Sequence, residues 1–465
     1  MEETQFREFL TRAQLDIKKH QIEGVKWCLN NEIKGNEVDE KTIRGGLLAD
    51  DMGLGKTIQI LGVMNGNNKD HTLIVLPKAL LKQWKDAIIL YIGIEPLVFH
   101  ASGNRKATKE LLISSPIVLT TYTLLTERKS MPNLLKSIKW DRVIFDEAHH
   151  LRTAKSKIYK GAICLNAEIK WLITGTPIQN RKSDFYSLCA VMGIPKSYYI
   201  NEDNLMNLVR AFIKKRTKKE VGIKLPELQT TTISVQWNNE KECHLAEEIH
   251  SKLNFTQVSS SSRSEQLPSF AFKLSETTIL PLLIKARQMC ILPSLVKTHV
   301  KYQSQASSKM DVVIETIINR KDNGRAKLIF CHFRGEIDAI KENLQKANMT
   351  ILTFDGRSTE KQRAYAVSKD NKCDVLILQI QTGCEGLNLQ QFSEVYFVSP
   401  HWNPAIEDQA VARCHRIGQE NNINVFRFEM CGFDEENETK SLDKYAFSVQ
   451  ESKRGIMSMI ENPNP

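Results

Sequence analysis

GGLLADDMGLGKTIQILGVM, residues 45–64, decides the fold. It begins as a short apolar run, GGLLAD, passes through a glycine-containing turn, and continues as KTIQILGVM with helical apolar spacing. Strand, glycine loop and helix in that order form a phosphate cradle. The helix N-terminus and the loop N–H groups face the anion, and glycine lets the backbone approach it. Asp51, Met52, Gly53, Leu54 and Gly55 form the cradle in this reading. Lys56 reaches the β- and γ-phosphates of ATP, and the Thr57 hydroxyl holds Mg2+. Asp50 stands where the general pattern has its first glycine. The competing reading is a glycine-rich turn that binds nothing.

Working outward, TLIVLP (72–77), PIVLTTY (116–122), RVIFDEA (142–148) and WLITGTP (171–177) are strand-length apolar runs separated by segments of helical length. The rhythm returns in KLIFCHF (327–333), TILTFDG (350–356), DVLILQI (374–380), EVYFVSP (394–400) and INVFRFE (423–429). Continuous apolar strands alternating with helices specify parallel sheets covered on both faces. The fold class is therefore α/β, with two doubly wound parallel-sheet lobes. Boundaries are expected at 1–195 for the first lobe, 196–305 for a mainly helical insertion, 306–431 for the second lobe and 432–465 for a tail. The insertion holds a basic run, FIKKRTKKE (212–220), and a serine-rich stretch, QVSSSSRSEQ (257–266). The tail is acidic and is expected to be a short helix followed by disorder.

With 465 residues the chain exceeds one ordinary core. No apolar run reaches the roughly 18 residues that a membrane span needs. The polar N-terminus does not resemble a secretory signal. Ten scattered cysteines without a C-x-x-C pair argue against a zinc module or disulfide framework. A net charge of +10 permits a polyanionic partner without requiring one.

The run VIFDEAHH (143–150) is a strand ending in two carboxylates. Asp146 is placed to bind Mg2+, and Glu147 to orient and deprotonate an attacking water. In EDQAVARCHRIGQ (407–419), Arg413 and Arg416 are three apart and are expected on one helical face, suited to charge developing on a γ-phosphoryl group. The first lobe offers no clear arginine of this kind. Hydrolysis would then depend on lobe closure, as in a motor.

These pieces together resemble the Swi/Snf family of DNA-dependent ATPases in helicase superfamily two. LDIKKHQIEGVKWCL (15–29) is similar to the family's adenine-side motif, which implies Gln21 on the adenine. ADDMGLGKT matches the phosphate-loop motif, including the aspartate in place of the first glycine. LIVLPKALLKQWKDAI (73–88), DEAHH, LITGTPIQN (172–180), LIFCHF (328–333), QTGCEGLNLQ (381–390) and QAVARCHRIGQ (409–419) follow in family order. PHWNPAIEDQA (400–410) resembles the branch of replication-damage translocases and a transcription terminator.

The resemblance implies two RecA-like lobes and ATP-driven translocation along duplex DNA without strand separation. It implies His149, Thr174, Thr176 and Gln409 between nucleotide and DNA. It implies Pro77, Lys78, Thr121, Tyr122, Thr382 and Gly386 near the DNA backbone, and Trp402 near the minor groove; packing within the second lobe is the competing role for Trp402. One departure is Gly383–Cys384, where the family has two glycines. DNA-bound proteins such as nucleosomes or a polymerase are the implied partners of a monomeric motor. A nuclear location is expected, or a viral factory in host cytoplasm if the chain is viral; the short length suits a viral, mobile-element or minimal repair or transcription factor. The alternatives are a strand-separating DNA or RNA helicase and a non-catalytic nucleotide- or DNA-binding scaffold. For the basic run, a structural role, DNA contact and nuclear targeting all stay open.

Overall fold

In the computed structural model, alternate residues of each apolar run go to opposite faces of a sheet. Val143 and Phe145 enter one core and Ile144 the other. In the second unit Ile329 and Cys331 face one core, and Leu328 and Phe330 the other. Residues 3–100, 107–126, 134–175, 182–253, 276–296, 307–368, 371–383, 387–433 and 440–461 are described. The chain divides into two compact units, Met1–Lys224 and Leu225–Pro465.

The first unit holds an eight-stranded sheet in the order β1-β2-β7-β6-β3-β5-β4, with β8 also paired to β2. Its strands are β1 (Asn36–Val38), β2 (Lys41–Leu48), β3 (Thr72–Leu76), β4 (Leu97–Val98), β5 (Ile117–Thr121), β6 (Lys139–Asp146), β7 (Asn166–Ile173) and β8 (Ile213–Lys214). Among the described residues, only the β1–β2 pair of this sheet is antiparallel. The second unit holds a six-stranded, all-parallel sheet in the order β11-β12-β10-β13-β14-β9. Its strands are β9 (Leu228–Val235), β10 (Ala326–Cys331), β11 (Ile351–Phe354), β12 (Val375–Gln379), β13 (Phe392–Phe397) and β14 (Ile423–Met430). These are the two parallel-sheet α/β units of a double RecA-like architecture.

All ten expected strands form. Among the described residues, four further strands form that the sequence reading does not mark. β4 and β8 have two residues each, and β9 is a threonine-rich edge strand exposed along most of its length. β8 and β9 change the reading of 196–305. That stretch carries the helices Leu205–Phe212, Glu240–His250 and Glu276–Ile291, yet β8 joins the first sheet and β9 the second. Residues 257–266 lie outside the described residues.

The tail also differs from expectation. Leu442–Glu461 is a 20-residue helix, not a short one. It is anchored at its first turn by a fully buried Lys309–Asp443 ion pair. Asp443 also accepts from Ser399 Oγ at 2.9 Å and Met430 N at 3.2 Å. Asp443 is thus the carboxylate that the buried Lys309 requires.

Candidate nucleotide site

The ladder between β2, β7 and β6 sets Leu48, Ile173 and Asp146 level at the C-terminal edge of the sheet. The phosphate-loop residues follow β2, Thr174 follows β7, and Glu147 follows β6. Parallel α/β sheets bind ligands at this edge. Pro77 and Lys78 follow β3 at the same edge, and Thr121 ends β5 opposite Leu76.

The cradle needs its glycines. Gly55 caps the Lys56–Gly66 helix at φ 80°, in the left-handed region, and an added Cβ would stand 2.3 Å from Gln21 Nε2. Gln21 Nε2 donates to Leu54 O at 3.2 Å, and His20 Nε2 lies 3.1 Å from the same oxygen. Gln21 is therefore seated against the loop. Burial lowers the His20 pKa. Lys56 Nζ donates to Asp50 O at 2.6 Å and Asp51 O at 3.2 Å, and burial lowers its pKa too. Thr57 lies in the first turn of the helix.

Asp146 is buried, and burial followed by the Glu147 carboxylate pushes it up to about 7. Trp84 Nε1 donates to its Oδ2 at 2.7 Å and Glu147 N to its Oδ1 at 2.9 Å. A buried carboxyl disfavoured as an anion and a hydroxyl in a helix first turn are oxygen donors of the kind that Mg2+ takes: a divalent cation restores the ionised form.

The sign of the pH effect follows. With a folded value above the ordinary 3.8, the folded chain holds a proton there that the unfolded chain releases. That stability is present below the unfolded value and is lost as pH rises through about 7. Without nucleotide, the wild-type melting temperature should fall relative to Asp146→Asn as pH is raised across this window. A difference constant with pH in scanning fluorimetry would refute the assignment.

Glu147 has φ 51° and ψ 50°, a left-handed conformation uncommon outside glycine. His149 is buried, with Nδ1 3.3 Å from Glu147 Oε2. The His149 ring stacks on His150 at 4.7 Å, and His150 lies 5.0 Å from the Tyr122 ring. The Tyr122 hydroxyl donates to Asp146 O at 2.6 Å. Tyr122 was expected beside DNA, but its side chain is buried and braces the carboxylate turn. Thr121 Oγ1 bonds Thr123 Oγ1 at 3.0 Å, and Lys78 is exposed. Thr174 is fully buried and its N–H donates to Leu48 O at 3.2 Å. Thr176 lies outside the described residues.

In the second unit, Gln409 is buried on the helix Pro404–Val411. That helix ends before Arg413 and Arg416, which lie in successive turns, so the expectation of one helical face is corrected. The reason is tertiary. Arg413 O accepts from Leu389 N at 3.1 Å, Gly418 turns the chain at φ 92°, and Gln419 Nε2 ties Cys414 O, Gln390 O and Phe392 O together. Burial, then Arg413, lowers the Arg416 pKa. Trp402 packs within its unit, 4.9 Å beneath the Arg287 guanidinium and edge-on to Tyr445 at 6.3 Å. Thr382 lies in the short helix Ile380–Gly383, and Gly386 and Cys384 lie outside the described residues.

Two residues near the cradle are missed by sequence reasoning: Trp84, on Asp146, and Arg216, on Asp50. Their partners are 62 and 166 positions away, beyond any local pattern.

A family model described as SNF2-related domain matches residues 20–295, and a helicase conserved C-terminal domain matches 308–418. A probable global transactivator of Orgyia pseudotsugata multicapsid polyhedrosis virus is 27% identical, over 96% of this chain and 91% of that protein. An uncharacterized ATP-dependent helicase of Mycoplasma genitalium is 30% identical over 91% of this chain and 41% of its own length. A DNA excision repair protein ERCC-6-like of Danio rerio is 25% identical over 90% of this chain and 34% of its own length. The chain thus spans most of the viral relative and less than half of the other two. No helix among the described residues is long and apolar enough to cross a membrane.

Proposed function

The chain belongs to the SNF2-related family, an ATP-dependent branch of helicase superfamily two, and from that premise we propose that it translocates on duplex DNA and displaces or remodels bound proteins without separating the strands. The observation that carries this reading is the glycine cradle and the paired carboxylates at one sheet edge, inside the span that matches the SNF2-related model.

In this proposal the loop Asp51–Gly55 and Lys56 bind the triphosphate, with Gln21 toward the base. Glu147 orients the attacking water and takes its proton. The water oxygen bonds to the γ-phosphorus, and the bond to the β–γ bridging oxygen breaks. Thr57 and Asp146 would hold Mg2+, which neutralises phosphate charge when bound. Arg413 and Arg416 serve the same phosphoryl group, with Gln409 beside them. His149, Thr174 and Thr176 relate hydrolysis to the track. Pro77, Lys78, Thr121, Tyr122, Thr382, Gly386 and Trp402 are the proposed DNA side, with Tyr122 acting through its backbone. Phosphate-directed contacts of this kind bind without strong sequence preference and weaken with salt. The name of the repair relative supports DNA as the track, and a nuclear or viral-factory location follows from that substrate.

The test is ATP hydrolysis with no nucleic acid, single-stranded DNA, duplex DNA and duplex RNA. Duplex DNA should stimulate most, with stimulation falling as salt rises. Equal stimulation by single strands or RNA refutes the track. Robust unwinding of a tailed duplex refutes translocation without strand separation.

A further inference from the structure

Of the basic run 214–219, Arg216 is the buried member, and it turns into the first unit. Its guanidinium holds Asp50, the residue standing at the first-glycine position of the phosphate loop, through Nε to Oδ1 at 3.0 Å and Nη2 to Oδ2 at 2.5 Å. Asp50 is fully buried. Nη2 also donates to Gln59 Oε1 at 3.0 Å, on the helix that follows the loop, and Gln59 Nε2 returns a bond to Asp50 Oδ2 at 3.0 Å. Nη1 donates to the carbonyl of His20, whose ring lies against Leu54 O. Gly24 makes room for this network: a Cβ there would stand 1.9 Å from Gln59 Oε1 and 2.6 Å from Arg216 Nη2.

The backbone carries the same connection. β8 pairs with β2, and the ladder continues past the strand into the loop. Ala49 N donates to Lys214 O at 2.7 Å, Asp51 N to Arg216 O at 2.9 Å, and Lys218 N to Asp51 Oδ2 at 3.1 Å. Residues 213–218 are thus bonded to the phosphate loop step by step, and seven residues later, at Leu225, the chain enters its second unit.

We infer that Arg216 is a positioning residue that clamps the connector between the units to the phosphate loop, so that nucleotide held by the loop is felt at the connector. This rests on the proposed ATP site. A salt bridge whose only task is to neutralise Asp50 would not need the backbone ladder or the bonds to Gln59 and His20.

Hydrogen exchange on the intact wild-type chain, with and without Mg2+ and a non-hydrolysable ATP analogue, tests it. Expected is slowed exchange both at 50–57 and at 213–218. Protection at 50–57 alone overturns the clamp while leaving the ATP site standing. Protection at neither overturns the ATP site and the clamp with it. A second arm uses Asp50→Asn with Arg216→Met, which removes both charges together and should fold, since replacing a whole buried pair is often neutral. Its ratio of duplex-stimulated to basal kcat should fall about tenfold, the stimulated kcat carrying the loss. An unchanged stimulated kcat overturns the clamp. If the double variant does not fold, the exchange arm decides alone.

Discussion

Glu147→Gln should lower ATP turnover by about 10²- to 10⁴-fold, the range that a general base contributes, while leaving nucleotide binding intact. The amide has the shape of the carboxylate and cannot take a proton. The unusual backbone of Glu147 does not depend on its carboxylate: its N–H donates to Asp146 Oδ1 at 2.9 Å and its carbonyl accepts from His150 N at 3.1 Å. The turn should therefore survive. Removing the charge also removes the second cause of the raised Asp146 pKa, so the variant should melt no lower than wild type at neutral pH. Single-turnover hydrolysis beside binding of a fluorescent ATP analogue separates the two effects. Turnover within a few-fold of wild type would mean that another group activates the water.

Arg142→Ala should be the most destabilising of the substitutions discussed, at about 3–5 kcal/mol, because it strips one partner from a buried pair. Arg142 Nε and Nη2 donate to the two oxygens of Glu32 at 2.7 and 2.6 Å, and both side chains are almost completely excluded from solvent. Trp171 Nε1 and Asn67 Nδ2 complete the carboxylate, each at 2.7 Å. Arg142 Nη2 also holds Asn67 O at 2.6 Å, at the end of the helix that follows the phosphate loop. The pair links that helix, β6 and β7. Without Arg142 the charge on Glu32 is stranded. For a unit of this size the loss corresponds to a melting-temperature drop of roughly 6–20 °C. Glu32→Gln combined with Arg142→Met should recover most of it. A fall below about 2 °C in calorimetry would show that water or a neighbour replaces the lost partner.

The sequence alone determined the ten principal strands, their parallel pairing and the strand, glycine turn and helix of residues 45–64. Those features are written in short windows: apolar runs of strand length, a turn with Gly53 and Gly55, and carboxylates at a strand end. A strand buried on both faces must be apolar throughout, so the signal does not depend on which neighbour it meets. The tertiary structure decided the rest. β8 and β9 lack apolar patterning because edge strands form when a partner presents free backbone groups, here β2 and β14. Arg413 and Arg416 left the helix because Leu389 and Gln419 claimed the carbonyls around them. Tyr122 turned inward because Asp146 O lay within reach of its hydroxyl. Arg216 was one cation in a basic run until Asp50, buried and needing a counter-charge, drew it in. A buried polar group must find its complement wherever the fold supplies one, and that partner's position in the chain is not encoded near either residue.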